Sequence, residues 1–154
     1  MLDKDQIYIT KDGLAKLKAE LKELTDVKIP EVAKRIQLAR DNGDISENAE
    51  YDAAKHEQGI IEGKIKELED IIKHAKISDG KKSGVVEVGS KVLVHVDGNE
   101  MEFHLVGAME ANPTERKISH SSPIGAALIG KKVGEKVLVE APIGTLTYTI
   151  LSIK

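Results

Sequence analysis

Apolar residues recur at helical spacing through the first half of the chain and at alternating spacing through the second. Thr10 reads as an N-cap, and Leu14, Leu17, Leu21 and Leu24 follow at 3–4–3 intervals, one face of a helix. Pro30 interrupts this ladder, which resumes as Val32, Ile36 and Ala39 with its phase moved by one residue. A proline inside a helical pattern ends or kinks the helix just before it. Asp41-Asn42-Gly43-Asp44 then reads as a tight polar turn, with Gly43 as a left-handed C-cap and Ser46 as the cap of a second helix. In that helix Tyr51, Ala54, Gln58, Ile61, Ile65, Leu68, Ile72 and Ala75 make an unbroken heptad seam. As a helix, Glu47–Lys76 has about 30 residues and runs roughly 45 Å. Two stripes joined by a tight turn predict a long antiparallel coiled-coil hairpin, and one seam per helix predicts a protruding finger rather than a bundle.

Ile77-Ser78-Asp79-Gly80-Lys81-Lys82-Ser83-Gly84 is rich in turn formers and reads as a linker, after which the period becomes two. Lys91–Val96 alternates, Asp97-Gly98-Asn99 makes a hairpin turn, and Glu100–Val106 returns with Met101, Phe103 and Leu105 on one face. Ser122-Pro123 opens a short helix that Gly130 closes. Lys136–Glu140, a turn through Pro142-Ile143-Gly144 and Thr145–Ile153 supply the last strands. The expected class is therefore α+β in two domains: residues 1–77 helical, residues 78–84 a linker, and residues 85–154 a small antiparallel sheet domain with one short helix.

Charge adds a feature that the periods do not explain. The chain has 154 residues and a net charge of −3, which argues against a general DNA binder. Between Asp41 and Asp52 lie five acids (Asp41, Asp44, Glu47, Glu50, Asp52) and no base, while Lys34, Arg35, Arg40, Lys55 and His56 flank them. The acidic knot falls on the turn between the two helical stripes, at the tip of the expected finger. One Phe, three Tyr and no Trp leave little for a base-stacking surface, so the core must be aliphatic. The absence of Cys excludes disulfides and thiolate metal sites and suits a reducing cytosol. No run approaches the roughly 18 apolar residues that span a membrane, and the N-terminus has no signal-peptide core, so a cytoplasmic protein without a membrane partner is expected.

The run Ala39-Arg40-Asp41-Asn42-Gly43-Asp44-Ile45-Ser46-Glu47-Asn48-Ala49-Glu50-Tyr51, followed by Ala53-Ala54-Lys55, resembles the tip signature of the GreA/GreB family of bacterial transcript-cleavage factors. A second block, Ser122-Pro123-Ile124-Gly125-Ala126-Ala127-Leu128-Ile129-Gly130-Lys131 and then Gly134, is similar to the family's C-terminal domain. The resemblance covers nearly the whole chain, with both motifs in order and correctly spaced. It implies an FKBP-like C-terminal domain that docks on the rim of the RNA polymerase secondary channel, with the coiled coil passing down it. The tip then helps the polymerase cut the 3′ end of backtracked nascent RNA, the protein itself being no enzyme. By motif position Asp44 and Glu47 match the family's functional acids, which help to hold a Mg²⁺ shared with the polymerase and to orient the attacking water. No tightly bound cofactor is implied. Arg40 and Lys55 match its RNA-facing basic patch, with Arg35 and His56 beside them, and Ser122, Pro123 and Ile124 match a docking segment.

On the residues alone, simpler readings stand beside these. Asp44 is a turn former, and Glu47 a first-turn acid favoured by the helix dipole. Arg35, Arg40, Lys55 and His56 serve equally to neutralise neighbouring acids, and Tyr51 is a packing residue. His56, His74, His95, His104 and His120 show no metal-ligand spacing. A prolyl isomerase, an activity common in FKBP-like folds, is disfavoured because residues 81–154 contain only Phe103 and Tyr148 to line an aromatic pocket. A channel-binding inhibitor would share the fold, and the acidic tip motif favours cleavage promotion over it. A plain coiled-coil scaffold leaves both motifs without a reason.

Overall fold

A computed structural model describes residues 6–43, 48–78, 80 and 84–154. The chain packs as two compact units, one of residues 15–74 and the other of residues 1–14 with 75–154. The class is mixed α+β, with a helical N-terminal region and a C-terminal sheet.

In the helical unit, α1 (Lys11–Glu23) passes through a π-helical turn (Leu24–Lys28) into α2 (Ile29–Asp41). The chain does not break at Pro30. Lys28 and Ile29 keep right-handed helical angles, and the Ile29 N–H bonds the Leu24 carbonyl five residues back. Such a turn admits one residue more than an α-turn. It accounts for the one-residue phase shift of the apolar stripe, and it places Pro30, which has no N–H to donate, at the start of the next α-helical stretch. Val32, Ile36 and Ala39 consequently face inward and are buried.

α3 (Ala49–His74) is 26 residues long, about 39 Å at the usual rise, and ends two residues before the expected Lys76. Lys64 pairs with Glu20 at 2.8 Å and Arg35 with Glu57 at 2.5 Å. Position advances along α1 and α2 as it retreats along α3, so α3 lies antiparallel to them. All four partners are solvent-exposed, so these pairs mark the register more than they stabilise it. The stabilising contact is the seam: Val32, Ile36, Ala54 and Ile61, packed with Leu24, Ile29, Tyr51 and Ile65.

The other unit holds two sheets. Short β1 (Tyr8–Ile9) and β2 (Lys76–Ile77) pair in parallel. β3 (Lys91–Val96), β4 (Asn99–Val106), β5 (Lys117–Ser119), β6 (Lys136–Ala141) and β7 (Gly144–Ile153) form the main sheet in the order β5-β4-β3-β7-β6. The alternation reads true: Val92, Val94 and Val96 point inward from β3, and Phe103 and Leu105 from β4. Asp97 (φ 54°) and Gly98 (φ 80°) make a two-residue turn with both φ positive, the kind whose twist suits a hairpin, so Asn99 already belongs to β4. α4 (Pro123–Leu128) covers the core through Leu128, with Ser122 as its cap and Pro123 at its first position.

Three expectations are corrected. The main sheet is not wholly antiparallel, because β5 runs parallel to β4. Gly43 follows the C-cap Asn42, whose N–H bonds the Leu38 carbonyl, and its φ of 157° is positive and suited to glycine but far from the left-handed helical value expected. Tyr8 and Ile9 pack in the unit of the C-terminal sheet rather than among the helices of residues 1–77. A two-residue strand is too short to display a period, and a parallel partner 68 positions away leaves no local signal.

A single carboxylate fastens this N-terminal segment. Glu110 accepts hydrogen bonds from the Thr10 N–H at 3.0 Å, from the Gly107 N–H at 3.2 Å, and from the Thr10 hydroxyl. The Thr10 hydroxyl oxygen in turn accepts the Gly13 N–H at 3.1 Å and so caps α1. Glycine is required at 13 and 107, where a Cβ would strike the Glu110 carboxylate and the Tyr8 carbonyl respectively. Replacing Glu110 by Ala strands three donors and should cost about 1–3 kcal/mol in urea unfolding, against about 1 kcal/mol for Thr10→Ala. Because the two share hydrogen bonds, the double variant should lose less than the sum. Strict additivity would show that the two side chains act independently.

Candidate functional site

The acidic turn begins where α2 ends. Asp41, the last residue of α2, is exposed, as are Glu50 and Asp52 in the first turn of α3. Asp44 and Glu47, the two acids expected to act, lie outside the described residues, as does Ser46, the expected cap. The cap of α3 is Asn48. Its Oδ1 accepts the Tyr51 N–H at 3.1 Å, and its Nδ2 donates to the Ala39 carbonyl near the end of α2 at 2.7 Å. One side chain therefore joins the two ends of the turn. The bond to Ala39 spans nine positions and leaves no local signal in the sequence, where Ser46 is the expected cap.

The basic flank divides into three arrangements. Arg35 is paired with Glu57, which agrees with the neutralising reading for that residue. Lys55 donates to Gln58 at 3.2 Å and remains exposed. The Arg40 guanidinium carbon lies 5.9 Å from the centroid of the Tyr51 ring, and among the described residues no carboxylate pairs with it. Arg40 is thus oriented over an aromatic face. Tyr51 packs on the helical seam, as expected, and carries Arg40 besides.

The expected docking residues sit on a tightly stitched loop. Ser122 Oγ donates to the Ser119 carbonyl at 2.7 Å and accepts the Gly125 N–H at 3.1 Å. Ser121 N–H donates to Ser119 Oγ at 3.1 Å. A Cβ at Gly125 would collide with the Ser119 carbonyl, so the backbone passes close there. Pro123 is left exposed, and Ser122 and Ile124 are half-buried. Phe103 and Tyr148 are buried in the core and meet edge-on at 6.4 Å, so they pack against each other rather than line an open pocket. Among the described residues no three His, Asp or Glu side chains stand together as a metal site, and no helix is long and apolar enough to cross a membrane.

Comparison with known proteins decides the family. Residues 7–77 match the N-terminal domain of the GreA/GreB transcription elongation factors, and residues 81–154 match their C-terminal domain. The chain belongs to the GreA/GreB family. It is 44% identical to transcription elongation factor GreA of Thermomicrobium roseum, covering 98% of this chain and 99% of that one. It is 46% identical to the GreA of Acetivibrio thermocellus, covering 100% and 99%. The solved structure of GreA factor homolog 1 of Thermus thermophilus is 30% identical over 97% of this chain and 99% of that chain, with a TM-score of 0.45. The protein is accordingly a transcription elongation factor that acts on RNA polymerase.

Two imidazoles of the sheet unit titrate unusually. Burial lowers the pKa of His120, which meets the Tyr8 ring edge-on at 5.3 Å. Burial also lowers that of His104, followed by the charges of Lys91 and Lys117. The folded chain holds both rings neutral at a pH where the unfolded chain, with an ordinary value of 6.5, takes up protons. Their contribution is therefore complete above pH 6.5 and is lost as pH falls through the lowered folded values. In urea unfolding between pH 7.5 and 5.0, the His104→Gln/His120→Gln variant should lose less stability on acidification than the wild type. An unchanged pH slope would show that these rings do not contribute.

Proposed function

We propose that the protein enters the secondary channel of bacterial RNA polymerase and stimulates the polymerase's own cleavage of the 3′ end of backtracked nascent RNA, rescuing arrested elongation complexes. The observation that carries this reading is the acidic turn at the end of two antiparallel helices, closed at its base by Asn48, in a GreA/GreB chain. In this reading α1–α3 form a coiled-coil finger and the C-terminal unit is an FKBP-like docking domain. The protein is not itself an enzyme.

The chemistry follows from the residue types. Hydrolysis of a phosphodiester by two metals needs both attacking and leaving oxygens clamped, and carboxylate oxygens are ligands that Mg²⁺ prefers. Asp44 and Glu47 would supply such oxygens to a Mg²⁺ shared with the polymerase, which would polarise the phosphodiester and the attacking water. A stiff pair of helices delivers them with little of the entropy loss that a flexible tail would suffer. Arg40, held over Tyr51, faces the phosphates of the displaced 3′ end, with Lys55 one turn beyond Tyr51. Ser122, Pro123 and Ile124 meet the channel rim.

The primary test adds the protein to a stalled, backtracked elongation complex, where shortened and extendable transcripts are expected. Asp44→Asn and Glu47→Gln should each reduce the stimulated cleavage rate about 10²–10³-fold while still competing with the wild type for the polymerase. Because both serve one site, the double variant should be little worse than the poorer single one. Asp41→Asn and Asp52→Asn are the charge-matched controls, and equal losses in all four would mean that only bulk acidity matters.

Docking is tested separately. Exposed Pro123 replaced by Asp should weaken polymerase binding about tenfold, equivalent to about 1.4 kcal/mol, without unfolding the chain. Neither form should isomerise a proline peptide, since Phe103 and Tyr148, the two aromatic residues of residues 81–154, are buried. Undiminished binding by Pro123→Asp, or a strong isomerase rate, would remove this segment from the docking account.

A further inference from the structure

Asn48 makes two hydrogen bonds that no single-function cap makes. Its Oδ1 accepts the Tyr51 N–H at 3.1 Å, the ordinary service of an N-cap. Its Nδ2 donates at 2.7 Å to the carbonyl of Ala39, a residue 2% exposed in the last turn of α2, where carbonyls run out of helical partners. Only an amide side chain offers a donor and an acceptor at this reach; an aspartate has acceptors alone, and a serine hydroxyl is too short to serve both ends. Arg40, next to Ala39, lies over the ring of Tyr51, whose N–H Asn48 holds, so a second contact joins the same two helix ends. Asp41, Glu50 and Asp52 near this point carry like charge, and among the described residues the helical core cluster reaches no further than Tyr51.

We propose that Asn48 is a positioning residue for transcript cleavage: by bonding Ala39 and Tyr51 at once, it fixes the span between the end of α2 and the start of α3, the two ends between which the sequence carries Asp44 and Glu47. The inference rests on the reading of Asp44 and Glu47 as the acids lent to the polymerase. It goes beyond that reading by assigning their placement to a residue that touches neither metal nor RNA. A loss of placement of about 1 Å is enough to lower a rate on the order of 10²-fold.

The test uses the full chain with Asn48→Asp, which keeps the capping oxygen and loses the donor, and Asn48→Ser, which adds no charge. Circular dichroism establishes that each remains folded. Stimulated cleavage is then measured against factor concentration and against Mg²⁺ concentration. Both variants should lower the maximal cleavage rate about 10- to 100-fold. The half-saturating factor concentration should stay unchanged, and the half-saturating Mg²⁺ concentration should rise. Because the chain has no cysteine, nitroxide labels can be placed singly at Asp41→Cys and Asp52→Cys, and their distance distribution should be broader in Asn48→Asp than in the wild type. Full maximal rates in both variants would overturn the positioning role and leave the proposed function standing. So would a loss confined to the half-saturating factor concentration, or an unchanged label distribution. A wild-type chain that stimulates no cleavage overturns the proposed function, and the positioning role with it.

Discussion

A helix begins with backbone N–H groups that have no partner within it, and this chain meets that constraint with short polar side chains that each reach a second place. Thr10 caps α1 and hydrogen-bonds Glu110 across 100 positions. Asn48 caps α3 and bonds the end of α2. Ser122 caps α4 and bonds the Ser119 carbonyl. In each case the group that satisfies a local need also fixes a segment distant or bent back in the chain. α2 needs no cap of its own, because the π-helical turn feeds directly into it. The N-terminal segment, the end of α2 and the loop before α4 are thus each held at a helix start.

Such an arrangement suits a protein with so few large side chains. One Phe, three Tyr and no Trp leave little bulk with which to wedge loops in place. The sheet core is built from Val, Leu and Ile with a single aromatic pair, and the helical core from one aliphatic seam. Away from these cores, hydrogen bonds with defined geometry must set the loops. A net contribution of about 1 kcal/mol for each bond is modest, but leaving a buried partner unsatisfied costs more, so the geometry is sharply preferred.

What the sequence made legible follows the same division. Elements governed by period were readable: the stripe of α3 through Ala54, Ile61 and Leu68 (after which Ile71 rather than the expected Ile72 is buried), the alternation of β3 and β4, and the Asp97-Gly98 turn. Even the π-helical turn left a trace, as the one-residue slip between Leu24 and Val32, although that trace read as a break at Pro30. Pairings between distant short segments were not readable. Tyr8–Ile9 with Lys76–Ile77, and Lys117–Ser119 beside β4, have two or three residues each and no period to show. Glu110 carries no motif, and its role appears only once Thr10 and Gly107 are brought to it. At the acidic stretch Asp44, Ser46 and Glu47 lie outside the described residues, and the capping role of Asn48, with its bond to Ala39, is something that spacing alone does not reveal.

The basic flank shows why motif position and geometry have to be weighed together. Arg35, Arg40 and Lys55 look alike as flanking charges, but their surroundings differ. Arg35 has its charge balanced by Glu57, and in an exposed pair that balance is easily exchanged, so it adds little affinity for any third partner. Lys55 is tied to a neutral amide and keeps its charge, though on a flexible stem. Arg40 has no carboxylate partner among the described residues and is oriented, because the Tyr51 ring lies beneath its planar guanidinium. An oriented fork loses less entropy on meeting a phosphate than a free one does, and Tyr51 is itself fixed by the seam and by Asn48. The same short stretch that joins the two helix ends therefore also carries a cation over an aromatic face. Under the proposed function, carboxylates for a metal and a guanidinium for a phosphate would be complementary halves of a phosphodiester site, and Asn48 bonds the backbone of the residue whose ring lies beneath that guanidinium.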